Sequence, residues 1–328
     1  MIMTRTPLRI SIGGGGTDLP SYYRRYGGFV ISAAITKHVY LTVNRGFQPG
    51  YFLRYSENEH TLDTASIVHA SLRQAIEMLE VPSPLEIVSI ADVPAGTGLG
   101  SSGTFLVGLL HALHAYRREP ITAEQLAREA VEVEMGRLKE PVGKQDQYIA
   151  AYGGLLCQHY HPDDTVTLQP LKMSDAQVCE LRDSLMLFFV GRTRQASTLL
   201  EDQRQRTQES DPSMLEGLHF TKELGGEIRN VLEAGRVIEF GPLMHEHWQR
   251  KRCRSKGMSS GRIDEIYEMA RTRGGASGGK LVGAGGSGFL LFQTSDRKRL
   301  RDCMTNAGLA EMDFNFDFDG SVVHTRSG

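Results

Sequence analysis

Nine residues, Pro94-Ala95-Gly96-Thr97-Gly98-Leu99-Gly100-Ser101-Ser102, constrain this chain more than any other stretch. They set three glycines and two serine hydroxyls between a strand-like segment, Leu85 to Ile90, and a segment of helical spacing that begins near Ser101. Glycine takes positive φ and allows close backbone approach at no steric cost. A helix N-terminus presents unpaired N–H groups and the positive end of its dipole. Together these suit a phosphate chain. A tight strand-to-helix turn with a serine cap is the plainer reading, and the full nine-residue string weighs against it. The string is not a Walker loop, which needs Lys directly after its second glycine. Nor is it the dinucleotide fingerprint, which needs Gly where Ser101 stands.

Composition decides what kind of phosphate is in question. A formal net charge of -2 over 328 residues exerts no pull toward nucleic acid or an anionic membrane, so neither partner is expected. Cys157, Cys179, Cys253 and Cys303 are scattered, with no pair spaced for a disulfide framework or zinc. The segment Met1 to Arg9 has no apolar run of the kind that leads a secreted chain, and no stretch approaches membrane-spanning length. A cytoplasmic protein acting on a small molecule is the expectation.

The rest of the chain supplies further loops. Thr6 to Ile12 alternates as a strand and runs into Gly13-Gly14-Gly15-Gly16-Thr17-Asp18, which reads as a ligand-facing loop rather than a linker. Strands are predicted at Phe29 to Val43 and Phe52 to Tyr55. Val68, Leu72, Ala75, Ile76 and Leu79 fall at helical spacing, and so do Leu106, Leu109, Leu110 and Leu113. Thr122 and Gln125 form a capping box. The helix they open carries Ala127, Ala130, Val131 and Leu138 on its inward stripe, with Glu134 in the middle and Glu132 on the opposite side. A carboxylate on a buried stripe needs a cation, a donor or a raised pKa; a structural salt bridge accounts for it equally well.

Pro141 to Tyr148 reads as a loop entering a short helix closed by Gly153-Gly154. Strands at Leu155 to Tyr160, Val166 to Pro170 and Leu185 to Val190 follow. After about Ser174 helices dominate, at Thr193 to Glu209, Ser213 to Ala234 and Arg236 to Arg252, with another carrying Ile263, Ile266, Tyr267 and Ala270. This places two domains at residues 1–175 and 176–328. Gly274 to Gly288 nearly satisfies two phosphate-loop patterns. Leu281 replaces the needed hydroxyl in one, and a strand follows where the other needs a helix, so a β-hairpin with a glycine tip is predicted. A helix near Asp296 to Asn306 and a final strand near Met312 to Phe318 end the chain. His245 and His247, two apart on a helix, read as ordinary surface or packing residues. The basic run Arg250, Lys251, Arg252, Arg254 and Lys256 is either a solvated face or a second anion site.

Glycine loops and a loop aspartate fit phosphoryl transfer, which is chiefly positioning and charge neutralisation. Donor phosphates would lie on Gly96 to Ser102, with Ser102 and Glu134 supplying Mg²⁺ ligands from neighbouring helices. Asp146 is the candidate base and Arg9 its cationic partner. These assignments coincide with a family pattern. Thr6 to Asp18, Pro94 to Ser102 and Lys280 to Gly288 resemble, in order, the three motifs of the GHMP kinases, and Gly143-x-x-Asp146 resembles the segment bearing their base.

The resemblance implies an α+β, two-domain fold, with an N-terminal ribosomal-protein-S5-like domain and a C-terminal ferredoxin-like α/β sandwich. It implies ATP and Mg²⁺ as cofactors, with ATP on Pro94, Ala95, Gly96, Thr97, Gly98, Leu99, Gly100, Ser101 and Ser102. It implies acceptor contacts at Gly15, Gly16, Thr17, Asp18, Gly285 and Gly286, and metal contacts at Ser102 and Glu134. Gly14 to Pro20, Lys144 to Tyr148 and the Phe-Asp-Phe-Asp-Gly-Ser string at Phe316 resemble the branch that phosphorylates the anomeric oxygen of a heptose 7-phosphate, toward nucleotide-activated heptose. Fucose kinases share these motifs, and a catalytically inactive sugar and ATP sensor is the reading from another class. Ser287 departs from the third motif, which usually has Gly there. The oligomeric state, monomer or homodimer, is left open.

Overall fold

The computed structural model describes residues 1–191 and 196–326. Its spine is the strand Gly28–Asn44, seventeen residues long. One edge of the spine pairs antiparallel with Ile2–Gly13, whose outer edge takes the last strand, Val322–Arg326. The other edge is shared. Leu155–Tyr160 pairs with residues 28–33 and Leu85–Ala91 with residues 39–44. Val166–Pro170, Tyr51–Arg54 and Asn58–Thr61 extend this eight-stranded sheet outward.

A gap is left on the shared edge between residues 34 and 38, and the segment 314–319 plugs it. The Thr36 N–H donates to Asn315 O (2.9 Å), and the Asp317 N–H to Ala34 O (2.9 Å). His38 Nε2 meets Asp317 Oδ2 at 2.8 Å. The strand expected at Met312 to Phe318 is therefore a plug making one β-bridge, Ile35 to Phe316. Its alternation is that of a strand, but both edges of the spine are already taken except at the gap. The strands actually present are Ala310–Met312, in the other sheet, and Val322–Arg326.

The second sheet orders Ala310–Met312, Leu185–Gly191, Gly288–Thr294 and Ala276–Leu281, all antiparallel. Numbered by chain order this is 4-1-3-2, the order of a ferredoxin-like sandwich. Four helices, Ala196–Gln208, Pro212–Glu233, Phe240–Arg252 and Gly261–Thr272, lie between its first two strands in the chain. The main core packs Leu106, Leu109, Leu110 and Leu113 of the helix Ser101–Arg117 onto Leu8, Ile10 and Ile12, and it continues into the second sheet through Val282, Phe289 and Leu291. Trp248, Tyr267 and Phe292 centre a smaller core on the other face.

The capping box of Thr122 and Gln125 is present. Besides the strands Ala310–Met312 and Val322–Arg326, the sequence reading lacked the helix Pro20–Tyr26, the short strand Asn58–Thr61, and the helix Asp175–Ser184 with its own capping box of Ser174 and Gln177. Val68, assigned to an inward helical face, precedes the His69 N-cap and is exposed. Of the helix expected from Thr193, residues 193–195 lie outside the described residues. The helix expected from Arg236 divides into a 3₁₀ turn, Val237–Glu239, and Phe240–Arg252.

Candidate active site

The ends of the first strand, the nine-residue loop and the helix Gln145–Tyr152 converge on a cleft of about 730 Å³. In the loop, φ is 77° at Gly96, 80° at Gly98 and 79° at Gly100, while Thr97 and Leu99 between them keep negative φ. That alternation turns successive N–H groups toward one point, an anion-binding nest. Gly100 is the N-cap of Ser101–Arg117 and supplies no side-chain cap, so the N–H groups of the first turn stay available. The serine-cap reading gives way: Ser102 Oγ bonds Glu134, and Ser101 Oγ is buried without a partner. All of Pro94 to Ser102 lines the cleft except Thr97 and Leu99, which are fully buried.

Arg9 joins this loop to Asp146. Its Nε and Nη2 donate to Asp146 Oδ1 (2.7 Å) and Oδ2 (2.9 Å), a bidentate ion pair. Its Nη1 donates to Gly98 O (2.6 Å) and its backbone N–H to Leu99 O (3.0 Å). Two glycines make room: a Cβ on Gly100 would stand 3.2 Å from the Asp146 carboxyl, and one on Gly103 2.9 Å from Asp146 Cβ. Arg9 is buried, whereas a quarter of the Asp146 side chain stays exposed to the cleft.

Asp18 is buried beside them. It accepts N–H bonds from Gly16 (3.2 Å) and Gln145 (3.3 Å). Burial first, and the Asp146 carboxylate second, push its carboxyl up from the ordinary range. Gly15 and Gly16 line the cleft beside it. Thr17 does not. Its hydroxyl lies 2.9 Å from Gly14 O and 2.8 Å from Phe29 O and accepts the Phe29 N–H (3.1 Å), so it fastens the loop to the spine. The acceptor contact expected of Thr17 is not available to a fully buried side chain.

Glu134 is held by neutral donors. Ser102 Oγ donates to Oε1 and Gln147 Nε2 to Oε2, both at 2.6 Å. Burial pushes the Glu134 carboxyl up even against these bonds. Its segment, Glu132–Arg137, is a π-helix rather than the expected α-helix, yet Glu134 is buried and Glu132 exposed, as the periodicity predicts. Ser102 Oγ and a Glu134 oxygen form a hard-oxygen pair facing the cleft, and no cluster of three His, Cys, Asp or Glu able to hold a metal occurs among the described residues. Such a set fits Mg²⁺, which takes most of its ligands from water and phosphate.

The glycine hairpin acts on the loop. A Cβ on Gly283 would collide with Gly98 Cα, and one on Gly288 with Thr97 O, so the hairpin presses backbone to backbone against the phosphate loop. Gly285 packs against the Met258 sulfur, and the Gly286 N–H donates to Met258 O (3.0 Å). Neither lines the cleft, which corrects the acceptor role expected of both.

Two cations of the basic run left open as a second anion site, Lys251 and Arg254, turn into the cleft, and Lys280 and His247, which the sequence reading did not place there, join them. Lys280 Nζ donates to Ile12 O (2.9 Å), Lys251 Nζ to Leu281 O (3.1 Å) and Gly283 O (2.5 Å), and Arg254 Nη2 to Thr221 Oγ1 (2.7 Å). All three line the cleft, as does His247, whose Nδ1 lies 3.5 Å from Lys280 Nζ. His247 is thus no surface residue. The basic run splits: Lys251 and Arg254 turn inward, Arg250 lies over Phe220, Arg252 reaches Asp264, and Lys256 is exposed. The spacing of His247, Lys251 and Arg254, four and then three apart, is the helical-face signal that marks them.

Comparison with known proteins accords with this geometry. The profile of the GHMP kinases N terminal domain matches residues 65–154, and that of the GHMP kinases C terminal matches residues 228–310, together more than half of the chain. The chain is 27% identical to D-glycero-alpha-D-manno-heptose 7-phosphate kinase of Campylobacter jejuni, over 97% of each protein. It is 26% identical to the bifunctional fucokinase/GDP-fucose pyrophosphorylase of Arabidopsis thaliana, covering 90% of this chain but 30% of that one. Among solved structures, a D-glycero-D-manno-heptose 1-phosphate kinase from Bacteroides thetaiotaomicron superposes with a TM-score of 0.82 at 25% identity over all of both chains. Lactococcus lactis galactokinase, at 15% identity and a TM-score of 0.78 over 98% of this chain and 94% of that one, shares the fold.

Proposed function

We propose that this chain, which belongs to the GHMP kinase family, transfers the γ-phosphoryl group of ATP to the anomeric hydroxyl of D-glycero-D-manno-heptose 7-phosphate. The observation that carries this reading is the Arg9–Asp146 pair, opening on a cleft between the glycine loop and Asp18. The nest at Gly96 to Gly100 receives the donor phosphates. Asp146 takes the proton of the anomeric hydroxyl as its oxygen bonds the γ-phosphorus, and ADP leaves with the electrons of the broken P–O bond. Arg9 keeps Asp146 oriented and ties its position to the loop through Gly98 O. Asp18 and the N–H groups around it orient the acceptor ring. Ser102 and Glu134 would hold Mg²⁺, which when bound neutralises charge on the phosphates. We divide the chain at residues 1–175 and 176–328; each profile match falls within one part, while the last strand reaches back to the first sheet.

Incubation with ATP, Mg²⁺ and a panel of heptose 7-phosphate, unphosphorylated heptose, fucose and galactose tests the reading. The expected product is a 1,7-bisphosphate whose anomeric proton shows phosphorus coupling. Equal use of fucose would overturn the heptose assignment and leave a sugar kinase. Failure with every sugar, ATP binding intact, would leave a sensor.

A further inference from the structure

Lys251 and Arg254 from the basic run, with Lys280 from the hairpin, line one cleft. Lys251 is on the last turn of Phe240–Arg252, and Arg254 follows in the turn after it. Arg254 lies against Gly16, where a Cβ would stand 2.9 Å from its Nη1, and Gln203 donates to Gly16 O (2.8 Å) from the facing helix. Lys251, Lys280 and Arg254 form no ion pair with a carboxylate among the described residues, and the charges that bear on Lys251 are Arg254 and Arg9. Buried charge without a counter-charge is costly. Burial, then those two cations, pull the Lys251 ammonium down to about 7, the response of a cation with no anion beside it.

Hydrogen-bonding capacity is also left over. Arg254 Nε and His247 Nε2 are buried without partners, on side chains more than nine-tenths covered, and Ser255 Oγ is likewise unpartnered. Lys251 uses two of its three N–H bonds on carbonyls. The Gly16 N–H bonds Asp18, so one loop residue separates the carboxylate that faces the acceptor ring from the Arg254 guanidinium. Arg254 is thus one loop residue away from the group proposed to orient the acceptor ring.

We propose that Arg254 and Lys251, backed by His247, form the subsite for the acceptor's own phosphate, so that the cleft holds two separate phosphate positions. The proposal rests on the reading of the chain as a sugar-phosphate kinase and assigns the second anion, for which the glycine loop has no place. Arg254 is a binding residue here and takes no part in proton transfer.

The test combines binding with turnover. Calorimetry of heptose 7-phosphate and of unphosphorylated heptose, without nucleotide, is run on the wild type, Arg254→Gln, Arg254→Lys and the outward-facing control Arg252→Gln. Arg254→Gln is expected to weaken heptose 7-phosphate about 10–100-fold, as loss of a charge-assisted bidentate contact would. It should leave unphosphorylated heptose and the KM for ATP within about twofold, since neither contact is altered. Arg254→Lys recovers part of the loss because it keeps the charge, and Arg252→Gln matches the wild type. The proposal falls if the wild type binds both sugars equally, if Arg254→Gln weakens both alike, or if Arg254→Lys is no better than Arg254→Gln. Should Arg254→Gln not fold, the Arg254→Lys deficit confined to the phosphorylated sugar decides instead. Tight, Arg254-dependent binding without turnover would sink the kinase reading and leave the subsite standing.

Discussion

Two carboxylates face the same cleft and are held by opposite means. Asp146 meets a guanidinium that returns both of its oxygens a charge-assisted bond. Glu134 meets only a hydroxyl and an amide, and its carboxyl is pushed up. The first site is electrically complete, so Asp146 is fixed in direction, as the proposed base would need to be. The second lacks a positive charge, which under the proposed function a divalent cation arriving with the nucleotide would supply. The difference separates a group built to act from a group built to wait for a ligand.

The sharpest way to break this contrast is Asp146→Asn, which keeps shape and removes the base. We expect kcat to fall about 10²–10⁴-fold with little change in ATP affinity, measured by steady-state kinetics and nucleotide titration. Arg9→Met should lose as much and also weaken ATP, because Arg9 bonds Gly98 O in the phosphate loop. A variant of Asp146 with near wild-type turnover would remove it from the chemistry.

On the other side of the comparison, Glu134→Gln and Ser102→Ala should each raise the Mg²⁺ needed for half-maximal rate by about tenfold or more, since even outer-shell partners of a metal are worth 10–100-fold. An unchanged Mg²⁺ requirement in both would show that the waiting carboxylate does not wait for a metal.

Asp18 stands between the two cases, and its signature is in stability. Its pKa is raised in the fold, so the carboxyl favours the fold when protonated, and that contribution is lost as pH rises through the raised value. The Tm of Asp18→Asn minus that of the wild type should grow as pH rises from about 4 toward 8, by about 1–2 °C for each kcal/mol of linkage. A flat difference in thermal scans would mean that burial of Asp18 is compensated after all. The smallest effect is expected of Glu132→Gln: exposed and one helical face away from Glu134, it should change neither rate nor Mg²⁺ requirement.

What could be read in advance was local. The nine-residue loop carries its conformation in its own glycines, and the phase that turns Glu134 inward survives the change from α to π because a step of two positions from Glu132 still crosses to the opposite side of the helix. The cationic lining was only half legible, as a run left open between a solvated face and a second anion site, for the opposite reason. Lys251, Arg254, Lys280 and His247 meet only after the hairpin and the helix Phe240–Arg252 pack together, and in the sequence three of them resemble a solvated run or a stray histidine. Gly285 and Gly286 misled because a glycine required by Met258 looks the same as one required by a sugar. The plug 314–319 misled because alternation reports which side chains turn inward, not whether a partner strand is vacant.

The seam between the first and last strands also has a kinetic meaning. Ile2 pairs with Arg326, Thr6 Oγ1 meets Ser321 Oγ at 2.8 Å, and Arg5 reaches Asp319 at 2.7 Å. Contacts of such sequence separation close late and slow the search for the native topology. On a ribosome, residues 2–5 wait with a bare edge until residues 322–326 have emerged, exposed meanwhile to pairing with other nascent chains.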